Sequence, residues 1–562
     1  MRRLLLILAA LTAAVYLAAP PSVRVLPSRP AGLGEPVRGV FHVHTKRSDG
    51  SGTVEQVARA AARAGLRFVV LTDHGDATRT PAAPAYHNGV LVIDAVEIST
   101  DGGHVVALRL PKSAYPLGGE ARDVVEDIRR MGGVAIAAHP ASRKSDLRWT
   151  DWSVPIQGLE HLNGDSEWRD ESAWQLARAL LAYPVRPVET LAFLFDRSEE
   201  AMRRWDTISK TRRVIGIAAA DAHGRIGLRA QEPYKGRFAL PVPGYESVFR
   251  SMSIALPQAR LASDARVDAR VVLDEIAAGR VFSSVDALGG QPAFEFTATS
   301  GHLRAIGGDA LDVDGPVRIA VIAQAPPAAR IVLFRDGVQL VESRMPALHH
   351  DVEPTPATYR AEVRMQGAPG EPPVPWIVSN PIYVNRSADM PKPAPRAAAA
   401  ARKDLYTDGP APEWTVEHSS ASHAAVDVVS AMSGTQLLFR YAISGGASSH
   451  PFAALVTAAS PGLAEHDRLT FTARADRAMR LSVQLRAHTS DPAGERWHRS
   501  VFVDSTPREI SVWFDEMAPR GVTTTPKPPL ETIRSLLFVV DTVNTPAGTA
   551  GQLYLDDLRY ER

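Results

Sequence analysis

Histidines and carboxylates that could share metal ions recur through the first half of this chain. His42 and His44 stand two apart in an apolar run, so on a β-strand both imidazoles project from one face, where one ion can accept both. Asp49 follows in a short Ser/Gly loop, and the next apolar run, Arg67 to Thr72, ends in Asp73 and His74. The segment GVLVIDAVEISTDGGHVVAL sets Glu97 at the end of one strand and His104 at the start of the next. GGVAIAAHP delivers His139 at the tip of a strand otherwise too apolar to want a histidine, and RVIGIAAADAHG brings Asp221 and His223, again two apart. An isolated HxH pair is common by chance. Five strand ends that each finish in a hard or borderline metal ligand are not explained as core histidines.

The intervening segments read as the helices needed to space those strand ends. Thr53 opens a helical pattern with Gln56 completing a capping box, Val54, Val57, Ala58, Ala61 and Ala62 form the buried face, and Gly65 ends it. Helical patterns at Glu120 to Met131, Ser172 to Ala182 and Ser198 to Ser209 alternate with strands, as α/β architectures that carry sites at strand ends require. IQGLEHLNGD, at 156–165, reads as a further strand, carrying Glu160 and Asn163. Glu160 either orients a ligand or is a structural carboxylate. Arg143, Lys144 and Arg225 follow candidate ligands closely enough to reach a substrate phosphate, the alternative being solvated loop cations. Tyr245 to Ser253, the helix Asp268 to Gly279 and RVFSSVDAL complete this part.

With HVH, SDG and TDH, the Glu97 segment, AHP and DAH in this order, residues 38–290 resemble the polymerase and histidinol phosphatase (PHP) superfamily of metal-dependent phosphoesterases. The resemblance implies an α/β fold, a distorted (β/α)7 barrel with two or three divalent ions (manganese, zinc or iron) at the C-terminal mouth of its strands. Carried over, His42, His44, Glu97 and Asp221 hold one ion, Glu97 bridges to a second held by His104 and His139, and Asp49, His74 and His223 hold the third. Asp49 stands where some members carry a histidine. Such a cluster activates water near neutral pH and clamps the attacking and leaving oxygens of an in-line phosphoryl displacement, so phosphate esters fall to a metal-bound hydroxide without a covalent nucleophile. Glu97 is then the bridging catalytic carboxylate. Asp73 either protonates the leaving group or, more plausibly, orients a ligand histidine. The competing reading is a surface or glycan-binding protein with a degenerate barrel, which the full ligand set argues against.

Composition sets bounds. The 562 residues are 45% hydrophobic and 22% charged, a globular chain of about three domains. With 63 basic and 62 acidic residues the net charge is +1, which lacks the electrostatic footprint of a nucleic-acid binder. Arg2 and Arg3 precede an apolar run from Leu4 to Ala19, so 1–22 reads as an export signal or membrane anchor. The protein is expected to be periplasmic, or held on the outer side of the inner membrane through this segment alone. No cysteine is present, which excludes thiolate ligands and a cysteine nucleophile.

Beyond residue 291 the pattern shifts to short strands with Gly/Pro turns, among them a hairpin at Asp336 and Gly337. This segment, 291–386, resembles the immunoglobulin-like β-sandwich that follows the barrel in exported relatives. Residues 387–404, rich in Pro and Ala, read as a linker. Residues 405–562 form amphipathic strands that resemble carbohydrate-binding jelly rolls. That resemblance implies envelope polysaccharide as a partner, a structural calcium near Asp556, and Trp414, Trp497 and Trp513 as candidates for sugar stacking.

Overall fold

A computed structural model describes residues 15–17, 19–227, 239–387, 396, 398–431, 433–445, 450–459, 462–487 and 494–562. Most of the expected export segment and half of the expected linker fall outside these residues. Among the described residues no helix is long and apolar enough to cross a membrane. The chain is mostly β-sheet with fewer helices, and it divides into two compact units: Met1–Pro111 with Glu120–Lys392, and Lys112–Gly119 with Pro393–Arg562.

The first unit is built on strands β1 (Val37–Val43), β2 (Phe68–Leu71), β3 (Val90–Asp94), β4 (Val96–Thr100), β5 (Gly103–Leu108), β6 (Val134–Ala137), β7 (Gly158–Asn163), β8 (Ile215–Ala219), β9 (Ser253–Leu256) and β10 (Phe282–Ser284). β1, β2 and β3 run parallel, with Gly39 opposite Phe68 and Phe68 opposite Leu91. β6, β7 and β8 form a second parallel run. The two sheets close on each other. His44 N–H donates to the Ala222 carbonyl at 3.0 Å and Ala220 N–H to Phe41 at 2.9 Å, while Gly75 N–H donates to Glu97 at 3.0 Å on the other side. A ring of strands in the order β1, β2, β4, β5, β6, β7, β8 results.

In this ring the strand–helix alternation of the expected distorted (β/α)7 barrel is interrupted between β4 and β5. β5 runs antiparallel to both β4 and β6, because the short turn after Thr100 sends the chain straight back with no helix between. Where helices do occur they follow local sequence. In Val54–Arg63 the hydroxyl of Thr53 accepts from Gln56 N–H at 3.3 Å, the Gln56 side chain accepts from Thr53 N–H at 2.8 Å, and Val57, Ala58 and Ala61 are fully buried. Helices Ala121–Arg130, Ala173–Ala182, Glu199–Ser209 and Tyr245–Ser251 match the expected segments within a few residues. The helix expected at Asp268 to Gly279 starts earlier, at Ala265, where the Asp264 side chain accepts from the N–H groups of Arg266 and Val267.

The immunoglobulin-like segment forms β-strands as expected, and Asp336 and Gly337, both with positive φ, make its hairpin turn. Residue 291 is no sheet boundary, however. β10 pairs with Ile377–Ser379, Phe282 opposite Ser379, so the sheet that begins at the short strand Ala85–His87 continues into Ala357–Met365.

The second unit is a sandwich of two six-stranded antiparallel sheets, crossed by the long strand Ala550–Glu561 in one and Ile533–Asp541 in the other, over a core that includes Phe439, Phe471, Leu481, Phe538 and Tyr560. Two expectations are corrected. Residues 402–404, assigned to the linker, belong to strand Arg402–Tyr406, which pairs with the closing strand. Lys112–Gly119, from the middle of the first half of the chain, belongs to this unit: Asn544 Nδ2 donates to Pro116 O at 2.9 Å, and Tyr115 and Leu117 are each 3% exposed. Trp414 and Trp497 lie in the core, and Trp513 is stacked between Arg396 and Arg468, so none of the three offers a free face to sugar. Asp556 takes part in no cluster of three or more His, Asp or Glu ligand atoms among the described residues.

Candidate metal centre

All nine expected ligands meet at one end of the strand ring. His42 sits on β1, His44 and Asp49 follow it, His74 follows β2, Glu97 lies on β4, His104 on β5, His139 after β6, and Asp221 and His223 after β8. Glu97 occupies the middle. Its Oε2 is 3.1 Å from His42 Nε2, 3.2 Å from His44 Nε2 and 3.4 Å from His74 Nδ1, whereas its Oε1 is 2.8 Å from His104 Nδ1 and 2.9 Å from His139 Nε2. The two oxygens face different sets of imidazoles, as a bridging carboxylate must. Asp49 Oδ2 lies 3.0 Å from His223 Nε2 and 3.8 Å from His74 Nε2, and its Oδ1 is 3.2 Å from His44 Nδ1.

Among the described residues, three groups of ligand atoms converge closely enough for an ion: His42, His44 and Glu97; His74, Glu97 and His104; and His44, Asp49, His74 and His223. The expected sets are redistributed in detail. His74 approaches Glu97 as well as Asp49, and His44 faces both the first and the third group.

The donor set fits a divalent ion on four observations. First, His42 Nε2 and His44 Nε2 are 3.1 Å apart, and Asp221 Oδ1 lies 3.4 and 3.2 Å from them. Donor atoms spaced like this are corners of a tetrahedron whose centre is about 2 Å from each, the ligand distance of zinc. Second, Asp221 Oδ1 is buried and accepts no hydrogen bond, an arrangement that is costly in an interior unless a cation completes it. Third, several histidines have their outward nitrogen committed. His42 Nδ1 faces Glu160 Oε1 at 2.6 Å, His139 Nδ1 donates to Leu147 O at 3.0 Å, and His223 Nδ1 donates to Asp221 O at 2.9 Å. Each bond leaves the Nε2 lone pair aimed into the cluster, the tautomer a metal requires. Fourth, His42, His139 and Asp221 have φ of 65°, 31° and 44°, a backbone region costing non-glycine residues roughly 1–3 kcal/mol each and concentrated at functional sites.

Electrostatics follow from the same contacts. Burial pushes the His42 and His44 imidazoles down, but Asp221, Glu160, Glu97 and Asp49 around them outweigh it and hold both well above the ordinary histidine range. Burial pulls His74 down to about 4. Burial raises Glu97, Asp49 and Asp221, yet the surrounding imidazoles hold all three below the usual carboxylate range.

Outside the ligands, Glu160 takes the orienting role: besides His42, its Oε2 accepts from His139 N–H and from Asn163 Nδ2, both at 2.7 Å, and Asn163 also donates to Asp221 Oδ2 at 3.1 Å. Asp73 does not orient a histidine. Its oxygens accept from Thr45 N–H at 2.7 Å, Ser48 Oγ at 2.8 Å and Arg47 Nε at 3.0 Å, which pins the loop carrying Asp49. Despite burial, those donors hold its carboxyl below the ordinary range, so it is a poor proton donor. Each of the three cations weighed for a substrate phosphate has an oxygen partner in the chain. Arg225 donates to Asp49 O at 2.8 and 3.1 Å, Lys144 pairs with Asp146 at 3.1 Å, and Arg143, 69% exposed, lies 3.7 Å from Asp170. Only Arg143 lines the cavity of about 330 Å³ that opens beside His139, Glu160 and Asn163.

Sequence reasoning missed Tyr245. Its hydroxyl is 2.9 Å from His44 O and 3.0 Å from His223 O, and accepts from Ser51 and Gly52 N–H at 3.1 Å, which ties two ligand segments together. Nothing in its helical context marks that role. Gly50 is equally specific, because a Cβ there would sit 2.4 Å from His44 O.

No family model matches the chain. An uncharacterised protein of Methanocaldococcus jannaschii is 29% identical over 115 residues, 18% of this chain and 67% of that protein. Among solved structures, the family 11 carbohydrate-binding module of a cellulosomal cellulase of Clostridium thermocellum is 16% identical at a TM-score of 0.25, over 29% of this chain and 95% of the module. An exo-beta-agarase is 12% identical at a TM-score of 0.21, over 28% of this chain and 25% of the enzyme.

Proposed function

We propose that the first unit is a metal-dependent phosphoesterase of the PHP kind, its strand ring a distorted (β/α)7 barrel, and that the protein works outside the cytoplasm. The observation that carries the reading is the division of Glu97: one oxygen faces His42, His44 and His74, the other His104 and His139. His42, His44, Glu97 and Asp221 would hold one ion, His104 and His139 with Glu97 a second, and Asp49, His74 and His223 a third. The mixture of imidazole and carboxylate suits zinc, manganese or iron.

Bound there, divalent ions supply Lewis acidity that lowers the pKa of water and neutralises charge on the ester oxygens. The reaction is addition of water to phosphorus with departure of the alkoxide, giving phosphate (or its monoester) and an alcohol. The chain's own contribution is positional. Glu160, Leu147 O and Asp221 O fix three imidazole tautomers, Tyr245 and Asp73 hold the loops bearing His44, Asp49 and His223, and the cavity beside His139 gives room for the remainder of the substrate. A glycan-binding protein with a decayed barrel is the weaker reading, since decay would not preserve nine converging ligands.

Elemental analysis of purified full-length protein, followed by a screen of phosphate monoesters and diesters with added manganese, tests this. Two or three equivalents of transition metal and turnover of at least one ester class are expected. Less than one equivalent after manganese or zinc loading overturns the reading.

A further inference from the structure

The cavity beside His139 has a second chemical character. Its wall on one side is the metal centre, through His139 and Glu160, and on the other it is acidic, with Glu167, Asp170 and Asp196. Glu167 is the informative group. It is nine-tenths buried. Its Oε2 accepts Asp196 N–H at 2.9 Å, and among the described residues its Oε1 has no hydrogen-bond or ion-pair partner. The neighbouring carboxylates repel it and one another: burial first, then Asp196, Asp170 and Glu171, pushes Glu167 well above the ordinary range, and Asp196 is pushed up to about 6 by burial and Asp170. Among the described residues, two arginines line this wall. Arg143 stands 3.7 Å from Asp170 on the exposed side, and Arg197, the other cation of the wall, spends its guanidinium on Glu362 at 3.1 and 3.3 Å.

Which cation would fit is decided by spacing. Among the described residues, each group of three or more ligand atoms close enough for a metal ion belongs to the histidine clusters, and none includes Glu167, Asp170 or Asp196. A bare divalent ion needs such convergence. An organic ammonium does not, because its charge is spread over a larger group that separated carboxylates can surround. A volume of about 330 Å³ is within the range of small-ligand pockets.

We propose, resting on the phosphoesterase reading, that this cavity binds an ammonium group carried on the alcohol portion of the substrate, so that the natural ester is zwitterionic, its phosphoryl end at the metal centre and its cationic end against Glu167 and Asp196. The phosphoryl oxygens belong at the histidine end of the cavity, and only the alcohol portion extends toward the acidic wall.

Two measurements on the full-length, manganese-supplemented protein test it. The first compares kcat/KM for 2-aminoethyl phosphate and 2-hydroxyethyl phosphate, which differ only in the terminal group. The amine is expected to be preferred about tenfold or more, the worth of one charge-assisted contact, and Glu167→Gln or Asp196→Asn should lower that ratio at least threefold. The second titrates ethanolamine alone by calorimetry, expecting a single saturable site that either variant weakens and that manganese does not compete for. Equal kcat/KM for the two esters in the unsubstituted protein, absence of saturable ethanolamine binding, or displacement of ethanolamine by manganese each overturns the assignment. If ethanolamine binds but neither ester turns over, the ammonium site stands and its place on a monoester substrate is overturned.

Discussion

Two of the buried polar clusters in the first unit solve the same problem differently. Around Glu362, the charges answer one another: its carboxylate meets Arg360 at 2.7 Å, Arg364 at 2.6 Å and Arg197 at 3.1 Å, and Arg360 makes two 3.1 Å bonds to Asp206. Burial pushes Glu362 up, but these arginines outweigh it and hold it at about 2. Around Glu97, five imidazoles and no arginine surround the carboxylate, two ring nitrogens abut at 3.1 Å, and an oxygen of Asp221 accepts nothing. The first cluster is complete as it stands and therefore structural. The second would be completed by cations on the proposed reading, which would make its cost that of a binding site.

The widest separation between the clusters should come from Glu97→Ala. Removing the shared ligand is expected to empty more than one ion position and to lower ester turnover by more than about a thousandfold, beyond the 10–100-fold typical of outer-shell changes. Plasma emission analysis and kinetics on one preparation check both. Loss of a single equivalent with turnover intact would deny Glu97 its bridging place. Chelation should likewise lower the melting temperature, because ligand that binds only the folded state stabilises it.

Glu362→Gln tests the other side. Breaking a buried charge network from one partner costs about 3 kcal/mol or more, so denaturant unfolding should register a large loss while metal content is unchanged. The sign with pH follows from its depressed folded value: the carboxylate's contribution is fully present above the unfolded pKa, near 4.5, and is lost as pH falls toward about 2. A variant that lost metal instead would dissolve the distinction between the clusters.

Glu160→Gln refines the comparison with a smaller change. It keeps size but weakens the bond that fixes the His42 tautomer, and a 10–100-fold fall in metal affinity is expected, measured by competition with a chromogenic chelator.

How far the sequence reveals these clusters depends on how each is encoded. The ligands at strand ends are legible because a histidine or carboxylate after an apolar run such as VAIAA is conspicuous, and the repeated His-x-His and Asp-x-His spacing adds to it. The helix starting after Thr53 is legible because capping is local. What long-range contact alone creates is not. Tyr245 reaches across some two hundred positions to His44, β10 joins the sheet of the following segment, and Lys112–Gly119 belongs with the second unit. None of these leaves a periodic trace. Asp73 is readable as a site residue but not as a loop anchor, because its partners are a serine, a threonine, one backbone N–H and Arg47, of no distinctive spacing.

The smallest effect is expected from Asp196→Asn, and it asks whether the acidic wall is a third kind of cluster, strained by carboxylates rather than completed by arginine or metal. Asp196 is raised to about 6 by burial first and by Asp170 second, with Arg143 partly opposing. A carboxyl whose folded pKa lies above its unfolded value favours the fold below about 3.8 and loses that contribution as pH rises through about 6. At pH 7 the folded protein therefore carries an ionised group it would rather hold neutral. Because Asp196 is only partly buried, solvent screens much of the penalty. Asparagine should raise stability at pH 7 by less than about 1 kcal/mol and leave it unchanged near pH 3.5, as followed by thermal unfolding across that range. If asparagine gives the same shift at both pH values, charge on Asp196 is not the source of strain, and the acidic wall is an ordinary solvated surface.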